Sequence, residues 1–192
     1  MKNLVKLLSL VLFLPLLSSC GYNNMVSQGE GVDQAWANVQ SQYQRRADLI
    51  PNLVNTVKGY ADFEKETLTA VIEARAKATQ TTIDPTNITP EKMQQFQEAQ
   101  GQLSGALSRL LVTVERYPDL KANQNFLELQ AQLEGTENRI SVARDNYNTV
   151  VKSYNTYIKQ FPRVIYAGWF SFTEKPYFEA DAGAKNAPKV EF

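Results

Sequence analysis

Residues 123–161 read NQNFLELQAQLEGTENRISVARDNYNTVVKSYNTYIKQF. Their apolar and small side chains recur at Phe126, Leu129, Leu133, Thr136, Ile140, Ala143, Tyr147, Val150, Tyr154, Tyr157 and Phe161, in steps of three and four without a slip. A strict 3.5-residue repeat puts these positions on one stripe and favours left-handed supercoiled packing against partner helices. Period-2 alternation is absent, which sets a strand aside. A helix over this whole stretch would run about 58 Å.

Working back along the chain, Met93, Phe96, Gln100, Leu103, Leu107, Leu110, Val114 and Tyr117 keep the same spacing. Thr89 is placed to cap that helix, Pro90 suits its first position, and Tyr117-Pro118-Asp119 ends it. Thr81 to Thr89 is its connection to the preceding helix. A further stripe runs from Trp36 through Val39, Tyr43, Arg46, Ile50, Leu53, Val57, Tyr60, Glu64, Thr67, Val71 and Ala74 to Ala78. Pro51 lies inside it and predicts a kink near residues 47–51 rather than a stop, and Gly59 marks a second weak point, a candidate place for division into two helices. Long helices with short links bury their stripes by folding back on each other. The expected fold is therefore all-α: an elongated antiparallel up-and-down helical bundle of three to four long helices with left-handed coiled-coil-like packing.

The N-terminus is of another kind. Lys2 and Lys6 precede an apolar run from Leu7 to Leu17, too short for a hydrocarbon core about 30 Å thick and of the length of a signal-peptide core. It ends in Leu17-Ser18-Ser19-Cys20-Gly21, which resembles the bacterial lipobox, and Cys20 is the chain's one cysteine. The organisation expected is a lipoprotein signal peptide over 1–19, a glycine-containing tether over 20–31, a helical domain over 32–179 and a flexible C-terminal tail over 180–192. As a random coil the tether would span about 20 Å.

Without the leader and its two lysines, 18 basic side chains face 20 acidic ones, so no basic footprint for nucleic acid is present. A lipidated Cys20 leaves neither a disulfide nor a reactive thiol. There is no histidine, which removes the commonest general base and metal ligand. No enzyme, cofactor or metal site is expected on these grounds.

Charged residues on or beside the stripes are the exception to an apolar core: Arg45, Arg46, Asp48, Glu64, Glu115, Glu137, Arg139 and Arg144. Buried charges need partners, so these are candidates for an inter-helical ion network that sets register. The rival reading, that they line a ligand pocket, has no support from a calcium-loop or phosphate-loop motif. The tyrosines and asparagines of 146–157 admit a sugar-binding strip, although tyrosines at heptad positions are more often core. After Pro162 come Tyr166, Trp169, Phe170, Phe172, Tyr177 and Phe178. They either cover the open end of the bundle or form an exposed patch for a partner or lipid surface.

These residues carry a family resemblance. Tyr22-Asn23, Trp36, the run QRRADLIPNLV over 44–54 and Val57-Lys58-Gly59-Tyr60 resemble the signature of the LemA family. ERYPDLKAN over 115–123, LEGTENRI over 133–140, Ala143-Arg144, Tyr147-Asn148 and Phe161-Pro162 agree with it. The resemblance implies an all-helical, membrane-anchored bacterial protein, and no catalytic residue is carried over. Family members typically begin with an uncleaved transmembrane helix, whereas the anchor of this chain resembles a lipobox. The function expected is a non-enzymatic envelope scaffold or protein-interaction module, held at the membrane by its N-terminal lipid and bound to an envelope protein. The alternative is a binding module for a small ligand or peptidoglycan fragment. Gly21 in place of an aspartate favours the outer membrane, facing the periplasm, in a two-membrane cell, and otherwise the outer face of the plasma membrane.

Overall fold

The computed structural model describes the backbone of residues 2–59 and 64–179, and the side chains of 21–59 and 64–179. The described residues are all-helical and contain no strand: α1 (Lys2–Lys58), α2 (Lys65–Gln80), α3 (Pro90–Val114), α4 (Pro118–Lys121), α5 (Gln124–Lys159) and α6 (Arg163–Trp169). A short 3-10 turn, Pro85–Asn87, lies between α2 and α3, with Asp84 capping it through the Thr86 amide. Thr89 caps α3 by accepting from the Lys92 amide, and Asn123 Oδ1 accepts from the Phe126 amide at the start of α5. The short α4 and α6 have no counterpart in the heptad pattern.

α1 continues through Pro51 and ends at Lys58, so the break falls at Gly59. Pro51 has no N–H, and the carbonyl of Ala47, four residues earlier, loses its helical donor. Arg75 Nε of α2 supplies one at 2.7 Å. The helix thus passes a proline because a neighbour satisfies the group that the proline leaves open.

The chain divides into two compact units. The first comprises residues 1–45 and 135–175. Its buried side chains include Met25, Val32, Trp36, Val39 and Tyr43 from α1, and Ile140, Tyr147, Val151, Tyr154 and Ile158 from α5. Trp36 and Tyr147 meet edge to face with ring centroids 5.6 Å apart. The second comprises residues 46–134 and 176–192. There Ile50, Leu53, Val54 and Val57 of α1 form one apolar cluster with Leu68 and Val71 of α2, Leu103, Leu107, Leu110 and Val114 of α3, Leu120 of α4, and Phe126 and Leu133 of α5.

Several expectations change. Residues 21–31 are not a tether but part of α1, with Met25 fully buried. Met25 and Val32 extend the α1 stripe backwards from Trp36, and side chains of α5 lie close to the glycines: a Cβ on Gly29 or Gly31 would meet Tyr154 or Val150 at ordinary contact distance. The glycines suggested flexibility where they allow contact. Beyond the break at Gly59, Val71 and Ala78 are buried as predicted, but Leu68 is buried in place of Thr67, which is half-buried, and Glu64 is exposed. In α5 the buried positions follow the predicted stripe to Tyr147, then pass to Val151, Tyr154 and Ile158, leaving Val150 and Tyr157 half-buried. An α-helix turns every 3.6 residues and drifts about 20° per heptad against a 3.5 repeat. Phe161, predicted as the last core position, lies beyond the helix end and is 82% exposed. Tyr60, the side chains of the leader and residues 180–192 fall outside the described residues.

Candidate functional site

The second unit carries an open groove of about 470 Å³ between α2 and α3. Ala70 and Ala74 of α2, with Gly105 and Ala106 of α3, form its floor, while Glu73, Lys77, Gln102 and Arg109 stand on its rim. Small residues at helical spacing keep the floor low, because nothing projects from either backbone beyond a methyl group. A Cβ on Gly101 or Gly105 would meet nothing within 4 Å. Gly101→Ala is therefore expected to raise stability by about 0.5–1 kcal/mol, measured by urea unfolding. A loss of stability would mean that this position is not the unstrained helix interior seen here.

The same unit holds a buried polar cluster. Arg46 is 1% exposed and sits on the apolar stripe, as its spacing predicts. Its Nη1 donates to Ser104 Oγ at 2.9 Å, and its Nη2 to Gln100 Oε1 at 2.7 Å and the Gln100 carbonyl at 3.4 Å. Gln100 Nε2 donates in turn to the Ala78 carbonyl at 3.2 Å. α1, α2 and α3 are thereby linked through hydrogen bonds of the buried Arg46 and Gln100 side chains.

Two other residues proposed for an ion network pair at the surface. Glu64 pairs with Arg116 at 2.7 Å and Glu115 with Lys121, and all four side chains are exposed. These carboxylates therefore meet surface cations rather than Arg46. Arg45 and Asp48 are exposed on α1, Glu137 and Arg139 are exposed on α5, and Arg144 is half-buried there. Surface pairs contribute about 0–1 kcal/mol each. Cys20 lies outside the residues whose side chains are described.

A model of the LemA family matches residues 35–192. The chain belongs to the LemA family. A protein LemA of Metamycoplasma hominis is 26% identical over 139 residues, covering 72% of this chain and 60% of its own length, so the chain spans about three fifths of that relative. Magnetosome proteins MamQ 1 and MamQ 2 of Paramagnetospirillum magneticum are each 24% identical to it, over 91% of this chain and 70% of theirs.

The first unit of this LemA-family chain contains two further features. One is a clamp on its C-terminal segment. The buried Asn155 side chain accepts from the Lys175 amide and donates to the Lys175 carbonyl, both at 2.9 Å, and the Tyr154 hydroxyl donates to the Thr173 carbonyl at 3.0 Å. Lys175 also approaches Asp33 at 3.6 Å and Lys159 pairs with Glu174 at 2.6 Å. Tyr154 and Asn155 thus serve the packing of the chain's own segment. Burial pushes the Tyr147 phenol far above its usual range and raises Tyr154 as well, with the Asp33 carboxylate adding to both shifts. The folded chain then keeps protons that the unfolded chain releases above about pH 10. This contribution is fully present below pH 10 and is lost as pH rises further. Urea midpoints should fall steeply above about pH 10 and less steeply in Tyr147→Phe; equal slopes would refute the assignment.

The other feature is an amide-rich groove of about 430 Å³, lined by Asn38 and Gln42 of α1 and Asn138, Arg139, Val142, Ala143 and Asn146 of α5. Gln42 Oε1 is buried without a hydrogen-bond donor among the described residues. The α2–α3 groove was not marked in the sequence as a site, and of the second groove only Arg139 and Asn146 stood among the candidate residues. Their one signal was indirect: small or amide side chains four residues apart, such as Ala70 and Ala74 or Asn38 and Gln42, on otherwise charged helix faces. Among the described residues, no helix is long and apolar enough to cross a membrane, and no cluster of three or more metal-ligating side chains is present.

Proposed function

We propose that this LemA-family protein is a non-enzymatic scaffold of the cell envelope, cut before Cys20, lipidated on that thiol and held at the membrane with its helices, packed antiparallel, outside the cytoplasm. In a two-membrane cell the anchor lies in the outer membrane with the domain in the periplasm; otherwise the domain faces outward from the plasma membrane. The observation that carries the scaffold reading is the α2–α3 groove. Its floor of Ala70, Ala74, Gly105 and Ala106 admits a partner helix at close range, and Glu73, Lys77 and Arg109 on the rim select that helix by charge. The partner is an envelope protein with an amphipathic helix.

A photo-crosslinking amino acid at Gln102 of the full chain, in living cells, should give one discrete protein adduct. Gly105→Trp should suppress it by filling the groove while leaving helical circular dichroism unchanged. A missing adduct, or one indifferent to Gly105→Trp, counts against the scaffold. Cys20→Ala should move the protein from the membrane fraction to the soluble fraction without unfolding it, and retention in the membrane would sink the lipid anchor.

The second reading, a site for a small ligand or peptidoglycan fragment, is favoured by the Gln42 acceptor, since a sugar hydroxyl can donate to it. Saturable calorimetric binding of a muropeptide, abolished by Gln42→Leu, would support this reading over the scaffold.

A further inference from the structure

The most exposed large apolar side chains among the described residues are Phe161, at 82%, and Trp169, at 74%. They flank or end α6, a seven-residue helix that turns its apolar face outward. Val164, Ile165, Gly168 and Trp169 fall at helical spacing on one exposed side, while Ala167 is buried. The helix end is built rather than frayed. Ser171 adopts the left-handed conformation with φ 59°, its amide donates to the Gly168 carbonyl at 3.4 Å, and the Phe172 amide donates to the Ala167 carbonyl at 2.9 Å. These bonds close the helix and reverse the chain. Tyr22 of α1 then packs edge to face on Phe170 at 4.9 Å and Phe172 at 5.7 Å.

Tyr22 is two residues from Cys20, an axial rise of about 3 Å on a helix. We infer that the outward face of α6, with Phe161 beside it, lies in the headgroup region of the same bilayer that receives the lipid on Cys20. This rests on the anchored reading above. An anchor two residues from Tyr22 keeps a bilayer at high effective concentration against the aromatic patch. Tryptophan, tyrosine and phenylalanine suit the membrane–water boundary, where one side is apolar and the other wet. Residues 161–173 contain one charge, Arg163, and no carboxylate, which fits an anionic leaflet. Arg163 lies over the Tyr157 ring at 4.0 Å.

The two tryptophans make this measurable, since Trp36 is fully buried and Trp169 is exposed. The full lipidated chain is reconstituted into vesicles of phosphatidylethanolamine and phosphatidylglycerol with brominated acyl chains, and Trp169→Phe gives the Trp36 background. Trp169 emission should fall by about half or more, and it should be shielded from aqueous iodide. If the bound protein keeps Trp169 bright and open to iodide, the patch faces water: the inference fails and the anchor stands. Shielding from iodide without bromine quenching would mean that a protein or a second copy covers the patch, which also overturns it. If Cys20→Ala stays bound and quenched while Phe161→Ser with Trp169→Ser releases it, the patch is upheld and the lipid anchor fails.

Discussion

Replacing Gln100 by leucine should lower stability by about 3–5 kcal/mol, because a guanidinium buried at Arg46 loses its shortest acceptor and the Ala78 carbonyl loses its donor. For a chain of this size that corresponds to a melting temperature lower by roughly 10 °C. Arg46→Met should cost less, about 1–3 kcal/mol, since it removes the charge along with its bonds and leaves an apolar side chain of similar length. Arg46→Met combined with Gln100→Leu should cost clearly less than the two single changes added together, with a coupling of at least about 1 kcal/mol. Denaturant unfolding of the four proteins reads this directly. Additive losses would mean that the two side chains are independent, and a neutral Gln100→Leu would remove Arg46 from any structural role.

Trp36→Ala should be comparably severe, at about 3–5 kcal/mol. The ring is fully buried, and its contact with Tyr147 joins α1 to α5 within the first unit. A packed interior relaxes only partly around a deleted side chain, so most of the cavity would persist. Trp36→Phe keeps an aromatic edge for Tyr147 and should recover much of the loss. The check is near-ultraviolet circular dichroism followed through thermal unfolding. A melting temperature unchanged by Trp36→Ala would show that the pair does not hold the helices together.

The core was legible where one residue type carried one message. Met93, Phe96, Leu103, Leu107, Leu110 and Val114 are buried as their spacing predicts, and so are Trp36 to Val57 of the α1 stripe. Arg46 was legible as a buried charge, but its partners were sought among carboxylates. Gln100 stood on the α3 stripe in the same reading, a polar residue in an apolar row, and the two odd positions answer each other. Carboxylates on exposed turns, Glu64 and Glu115, found nearer cations at the surface. The grooves were not legible, because a groove depends on which helix faces come together, and spacing within one helix does not encode that. Residues 21–31 were misread because glycine has no side chain from which to judge whether it yields space or motion.

The bond from Arg75 to the Ala47 carbonyl has a consequence for the order of assembly. A helix normally completes its own ladder and can form ahead of its neighbours. Beyond residue 47, α1 cannot, since Pro51 leaves that rung open until α2 arrives. Residues 47–58 and α2 should therefore gain and lose their structure as one cooperative step, so that protection from hydrogen exchange fails in both at the same free energy. The proline makes the last turns of α1 conditional on a correctly docked Arg75, a built-in check that α2 has met the right stretch of chain.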